Sequence, residues 1–134
     1  MKPLHCFFSP AIACLAAVLL ALSTATTFAQ TVQLLCANPG SSSAGLVTVD
    51  YAARTLGVDS IDAAGNVTIM AYHRLPATVT DETVSATWKN GKDYMRFTLN
   101  RYSGVLRTES DFGAGYSNTY SNPCTKYQRG SRKF

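Results

Sequence analysis

From Thr83 to Asp111 polar and apolar residues alternate with a period of two, the pattern of strands with one buried face and one wet face. Val84, Ala86 and Trp88 fall on one side, and Thr83, Ser85 and Thr87 on the other. Asn90-Gly91 interrupts the alternation. This pair is the strongest short hairpin signal, because a type I′ turn needs φ > 0 at both central residues. A turn there pairs Lys89 with Lys92, Trp88 with Asp93, Ala86 with Met95 and Val84 with Phe97. It sets Thr87–Tyr94, Ser85–Arg96 and Thr83–Thr98 on the opposite face. A second turn over Arg101-Tyr102-Ser103-Gly104 places Leu99 opposite Leu106 and Arg96 opposite Glu109, completing a three-stranded meander.

The same reading extends to both sides. Val32, Leu34 and Cys36 alternate with Gln33, Leu35 and Ala37 in a first strand, Thr31 to Ala37, before the turn-forming stretch Asn38 to Ser43. Leu46 to Tyr51 and Leu56 to Ile61 read as the next two strands. The intervening Ala52-Ala53-Arg54 carries no sustained helical period, and Gly57 follows within a turn, so a helix is rejected. Asp62 to Asn66 is a turn in which Gly65 suits the left-handed position. Val67 to His73 alternates as a strand, Arg74 to Glu82 reads as irregular because Pro76 breaks it, and Tyr116 to Cys124 forms a last strand that returns the chain to Cys36. Seven or eight short strands about ten residues apart predict one all-β antiparallel domain, a sandwich or a closed barrel.

Hydropathy separates a leader from this domain. Met1-Lys2 is a short basic start, Ala11 to Leu22 is apolar throughout, and Thr27-Phe28-Ala29 offers small residues at a signal-peptidase site, so residues 1–29 are expected to be a signal peptide cleaved after Ala29. The run is about 12 residues, short of the roughly 20 that a membrane span needs. No transmembrane span is expected after cleavage. Ala11-Ile12-Ala13 before Cys14 is a poor lipobox, since most of the apolar run follows the cysteine.

Cleavage leaves Cys36 and Cys124 in a periplasmic or secreted chain of about 105 residues, where oxidation is permitted. Their joining is expected to stabilise the fold by about 4–5 kcal/mol through loop closure. It favours the barrel over the sandwich, because it brings the first and last strands together and removes exposed edges. The net charge of +4 is concentrated at the C-terminal end: Lys126, Arg129, Arg132 and Lys133 follow the last acid, and Lys2 lies in the leader, leaving about −1 for residues 30–125. Residues 126–134 are therefore read as a basic tail able to meet an anionic surface. Binding to nucleic acid is not expected.

Chemistry is sparse. His73 is the one histidine after the leader, so any triad, metal pair or proton relay needs it, and its expected role is structural. Asp59 with Asp62, and Asp81 with Glu82, lack the spacing of a calcium loop, and Thr80-Asp81-Glu82-Thr83 reads as a turn with local capping. Asp111-Phe112-Gly113 has no phosphate-binding loop to accompany it, and Asn66-Val67-Thr68 is a glycosylation sequon. No catalytic residue, metal or cofactor is assigned. Tyrosine and arginine dominate contact surfaces because each presents large area with a polar handle. Tyr94, Arg101, Tyr102, Arg107, Tyr116 and Tyr120 are accordingly the candidate binding residues.

Cys36, the run Val49-Asp50-Tyr51-Ala52-Ala53-Arg54-Thr55-Leu56, Thr80-Asp81-Glu82-Thr83 leading to Trp88, the run from Phe97 to Leu106, and Cys124 together resemble small exported bacterial β-proteins of unknown function. A weaker resemblance is to the periplasmic inhibitors of c-type lysozyme, β-barrels that also tie an early cysteine to a late one. Their Ser-x-x-Gly-x-x-Tyr-like loop has no counterpart after Ser103-Gly104, and no residue is carried over. The expectation is an exported non-enzymatic β-domain that binds a macromolecule or an envelope component. Inhibition of a cell-wall hydrolase and small-ligand binding in a barrel are the alternatives.

Overall fold

The computed structural model describes residues 30–38, 40–113 and 115–128. The expected leader and residues 129–134 of the basic tail lie outside the described residues. Nine strands follow in order: β1 (Thr31–Cys36), β2 (Ser43–Asp50), β3 (Thr55–Asp62), β4 (Val67–Thr68), β5 (Leu75–Val79), β6 (Thr83–Asn90), β7 (Asp93–Asn100), β8 (Val105–Asp111) and β9 (Ser117–Lys126). There is no helix among the described residues. All pairings are antiparallel. The order β2-β1-β9-β8-β7-β6-β5-β3 is closed by a β2–β3 ladder into an eight-stranded barrel, with β4 pairing with the far end of β3 on the side that β5 uses.

Closure depends on β1, which pairs with both β2 and β9. It sets Cys36 opposite Cys124, and the two form the expected disulfide with their Cα atoms 4.0 Å apart. Inside the wall, Val47, Val49, Leu56, Val84, Phe97, Leu99 and Leu106 are buried in one core. Each such side chain contributes about 1.5–3 kcal/mol of transfer free energy. The other face of β1, β2 and β3 carries a second apolar group, Leu35, Ala44, Leu46 and Ile61. Tyr127 packs on it, and its N–H donates to the Gln33 carbonyl at 2.9 Å. The expected tail boundary at Lys126 therefore falls inside β9.

Three expectations need correction. The first hairpin turns one residue late, which shifts the register by two: Asn90 faces Asp93, so Trp88 meets Met95, Ala86 meets Phe97 and Val84 meets Leu99. The two-residue loop is Gly91-Lys92. Gly91 has φ 60°, and Arg54 is the one non-glycine with positive φ among the described residues. That is the type II′ arrangement, which needs a glycine at the first central position and leaves Asn90 in ordinary strand conformation. Because the shift is by two, every side chain keeps its predicted face. The second hairpin has the predicted register, Leu99 to Leu106 and Arg96 to Glu109.

The other two corrections concern one stretch. The strand predicted over Val67 to His73 ends after Thr68, and the segment read as irregular contains β5. Both run antiparallel along β3. Between the Ser60–Thr68 and Leu56–Leu75 pairs, however, the facing chain has three residues more than β3, and they bulge out. Asp59 sets the break. Its carboxylate is buried, with Oδ1 accepting the Met70 N–H at 3.0 Å and Oδ2 2.5 Å from His73 Nδ1. Pro76 sits one residue into β5, where a missing N–H is tolerated. Nearby, the Asn66 side chain and N–H hold the Asp62 carboxyl below its usual 3.8.

Candidate functional site at the open end of the barrel

The turns at 51–54, 80–82 and 101–104 meet at one end, where side chains tie them together. Arg101 Nη1 donates to the carbonyls of Thr80 and Asp81 at 2.7 and 3.2 Å, and its guanidinium lies over the Tyr51 ring, 5.3 Å from the centroid. Asn100 Oδ1 accepts the N–H groups of Tyr102 and Ser103, and Thr80 Oγ1 accepts those of Glu82 and Thr83. This is the local capping that the sequence predicts for Thr80 to Thr83. A recess of about 260 Å³ lies here beside Val32, Leu34 and Leu99, and the two polar side chains at its rim, Asn100 and Arg101, are already bonded.

The opposite end is built differently. β1 stops at Cys36, so over Ser117 to Asn122 β9 has β8 on one side and, among the described residues, no strand on the other. Its inward-directed side chains there, Tyr120 and Asn122, border a cavity of about 230 Å³ inside the barrel. A second seam lies across the barrel, because β5 reaches β6 only at Val84 to Ala86. Tyr72, from the bulge along β3, fills it. Its ring stands edge-on to Trp88 at 6.3 Å and tilted against Phe97 at 5.1 Å, contacts worth about 0.5–1.5 kcal/mol each beyond burial. Burial, then the negative charge of Asp59, then Tyr120 push the Tyr72 phenol above its usual 10.0, so it stays protonated at neutral pH.

The cavity wall is largely apolar: Met70, Tyr72, Met95, Phe97 and Leu106. No Lys, Arg or His lines it. Asp59 is the one carboxylate among the lining residues, and both its oxygens are engaged by Met70 and His73. Thr108 adds a buried hydroxyl, and Asn38, Ser43, Ser60, Tyr120 and Asn122 add further polar groups. One residue pair further along β8, Ser110 is 1 % exposed, and its Oγ has no hydrogen-bond partner. Leu106, Thr108 and Ser110 are the alternate, buried residues of β8, so Ser110 is directed inward beside Thr108. It lies directly across from Met95 of β7.

The six candidate contact residues do not converge. Tyr120 borders the cavity, and Tyr116 lies at the same end, 69 % exposed. Tyr94 alternates with inward Met95 and Phe97, which puts it on the outer wall opposite Asp111. Arg101 and Tyr102 belong to the tied end, and Arg107 is on the outer wall, bonded to Glu109 at 3.0 Å. Sequence reasoning missed Met70, Tyr72 and Met95 as site residues. Trp88 and Met95 were visible only as core-facing positions. His73 is half exposed and bound to Asp59, and no group of three or more metal-ligating side chains occurs among the described residues.

Comparison with descriptions of protein families, with curated proteins and with solved structures finds no match for this chain.

Proposed function

We propose that this chain is an exported, non-enzymatic binding protein that holds a small, mainly apolar molecule in the open end of its barrel. The observation that carries the reading is the cavity itself: about 230 Å³, walled in part by thioethers and aromatic rings, at the end where β1 stops and Ser117 to Asn122 of β9 have no partner on that side among the described residues. Drug-sized ligands occupy roughly 300–1,000 Å³, so the occupant is smaller than these. The non-enzymatic reading is supported by the lining, whose one carboxylate, Asp59, has both oxygens engaged by Met70 and His73. Export is supported by the Cys36–Cys124 bond, which suits an oxidising compartment.

The test is native mass spectrometry of the protein isolated from its own host, with titration of small apolar probes followed through Trp88, the single tryptophan. A retained small mass, or a saturable fluorescence change, is expected. A bare polypeptide mass together with no saturable change for any probe overturns the reading. A macromolecular partner is the second reading, favoured by the exposed rings of Phe112, Tyr116 and Tyr120 around the start of β9. It predicts that Tyr116→Ala weakens capture of the partner without altering the binding of small probes.

A further inference from the structure

We infer that the free edge of β9 at the open end docks an extended, uncharged segment of another polypeptide, which continues the line of β1 and sends an apolar side chain into the cavity.

Alternate residues of an antiparallel strand turn their N–H and C=O groups to opposite neighbours. Cys124 N–H bonds the Gly104 carbonyl, and the Tyr116 carbonyl accepts Phe112 N–H, so the even-numbered residues of β9 face β8. The odd-numbered ones face β1: just past β9, Tyr127 N–H reaches the Gln33 carbonyl, and the Pro123 carbonyl accepts Ala37 N–H. Pro123 has no N–H to offer, and the line of β1 ends there. Beyond it the N–H and C=O groups of Ser117, Thr119 and Ser121 point to a side where no strand lies among the described residues. All three residues are exposed. Neither charge nor proline interrupts Ser117 to Asn122, although these are the features that keep exposed edges unpaired.

Such a row of alternating donors and acceptors is matched by another extended main chain. The width of the gap decides whose. β1 pairs with both β2 and β9, and past Cys36 the β2 residues Ala44 and Ser43 still pair with β3, so the space between β2 and β9 is one strand wide, about 10 Å. A second copy presenting its own β9 would bring β8 beside it and need more than this. Tyr120 and Asn122 border the cavity, so residues of the docked segment opposite them point inward too. The lining mixes Met95, Phe97 and Leu106 with the amide and hydroxyl groups of Asn38, Ser43 and Thr108, which suits an apolar side chain attached to a polar main chain. An ionised side chain finds no partner: the lining holds no Lys, Arg or His, and the Asp59 carboxylate is engaged. The same cavity serves the small-molecule reading, so peptide and small probe should exclude one another, and each reading can fail alone.

The test uses the disulfide-bonded chain and the end-blocked peptide Val-Thr-Leu-Thr-Val-Thr, whose leucine falls opposite Tyr120 when its ends match Asn122 and Ser117. Backbone amide exchange is followed residue by residue by NMR. With the peptide at millimolar concentration, the amides of Thr119 and Ser121 are expected to exchange at least about tenfold more slowly, and those of Asn118 and Tyr120, which face β8, to stay as they were. Replacing the peptide's leucine with aspartate should remove the effect. So should Thr119→Pro, read at Ser121. This variant deletes an outward N–H that has no partner, on an edge where proline is tolerated, and unchanged amide shifts at the tied end check its fold. Unchanged exchange at Thr119 and Ser121 of the parent would overturn the inference, as would equal protection by the aspartate peptide or protection of Ser121 that survives Thr119→Pro. Slow exchange without any peptide would overturn it too: if constant, the chain covers its own edge, and if it grows with protein concentration, a second copy does. Toluene binding, followed through Trp88 fluorescence, is scored apart. Toluene without peptide leaves the small-molecule reading standing alone, and peptide without toluene leaves this one.

Discussion

The two ends of the barrel solve the same problem in opposite ways. Where turns 51–54, 80–82 and 101–104 meet, the polar side chains are spent on backbone groups: Arg101 on two carbonyls, Asn100 and Thr80 on two N–H groups each. At the other end β1 and β5 both stop early, the wall is completed by the Tyr72 ring, and the Ser110 hydroxyl is left without a partner. An eight-stranded barrel holds just enough interior for side chains or one small ligand. Which of the two it holds is decided by strand length at the rim. Here β2, β3, β6, β7 and β8 supply most of the core, and the short strands β1 and β5 leave the opening.

The largest break in that contrast comes from the bond beside the opening. Cys36 is the last residue of β1 and the point where the wall ends. Changing Cys36 and Cys124 together to Ala is expected to lower unfolding free energy by about 4–5 kcal/mol, measured by urea denaturation, because a closed loop of 88 residues is released. Loss of probe binding should precede global unfolding in this variant. If both disappear at one denaturant concentration, the open end is not a separate, weaker region.

Gly57 gives the next effect. A Cβ built there would stand 1.6 Å from the His73 carbonyl oxygen, a backbone atom that cannot turn aside. Gly57→Ala should therefore push the 69–74 bulge away from β3, break the bond from Val58 N–H to the Tyr72 carbonyl, and cost about 2–3 kcal/mol. It should disturb Trp88 fluorescence through Tyr72 while leaving the tied end intact. A stability change under about 0.5 kcal/mol would mean that the bulge rides freely on β3.

Arg101→Ala probes the tied end alone. It removes two hydrogen bonds to carbonyls and a stacked cation, with an expected loss of about 1 kcal/mol in thermal or chemical unfolding. Probe binding at the open end should not change. A change there would show that the two ends are coupled through the strands.

The sequence made the core legible and the rim nearly invisible, for a physical reason. Period-two alternation in β6, β7 and β8 is a local property, so their faces and the Leu99–Leu106 register could be read directly. The first turn was misplaced because Asn90-Gly91 and Gly91-Lys92 both satisfy the need for glycine at positive φ, and an even shift leaves the pattern of faces unchanged. The bulge could not be read at all. It is made by Asp59 capturing the N–H of Met70, 11 residues away, which no window of alternation contains. Tyr120 was found because tyrosine is enriched at contact surfaces whatever its surroundings. The alternation from Leu106 puts Thr108 and Ser110 on the inward face, but a polar-looking strand, Thr108-Glu109-Ser110-Asp111, gives no sign that they are buried.

The smallest effect is one of pH, and it separates the Tyr72 seam from the rest of the chain. In the folded protein burial, Asp59 and Tyr120 together raise the Tyr72 pKa above the 10.0 of an exposed phenol. The folded state therefore keeps this proton after the unfolded chain has released it. The linked stability is fully present below pH 10 and is lost as pH rises from 10 through the folded value. Parent protein should show a thermal midpoint that begins to fall above pH 10. The chain has six other tyrosines, so the informative quantity is the difference from Tyr72→Phe, which keeps the ring against Trp88 and Phe97 and removes the proton. The variant's midpoint should fall less steeply. Equal slopes would mean that water reaches the phenol freely, and that the seam beside β6 is open.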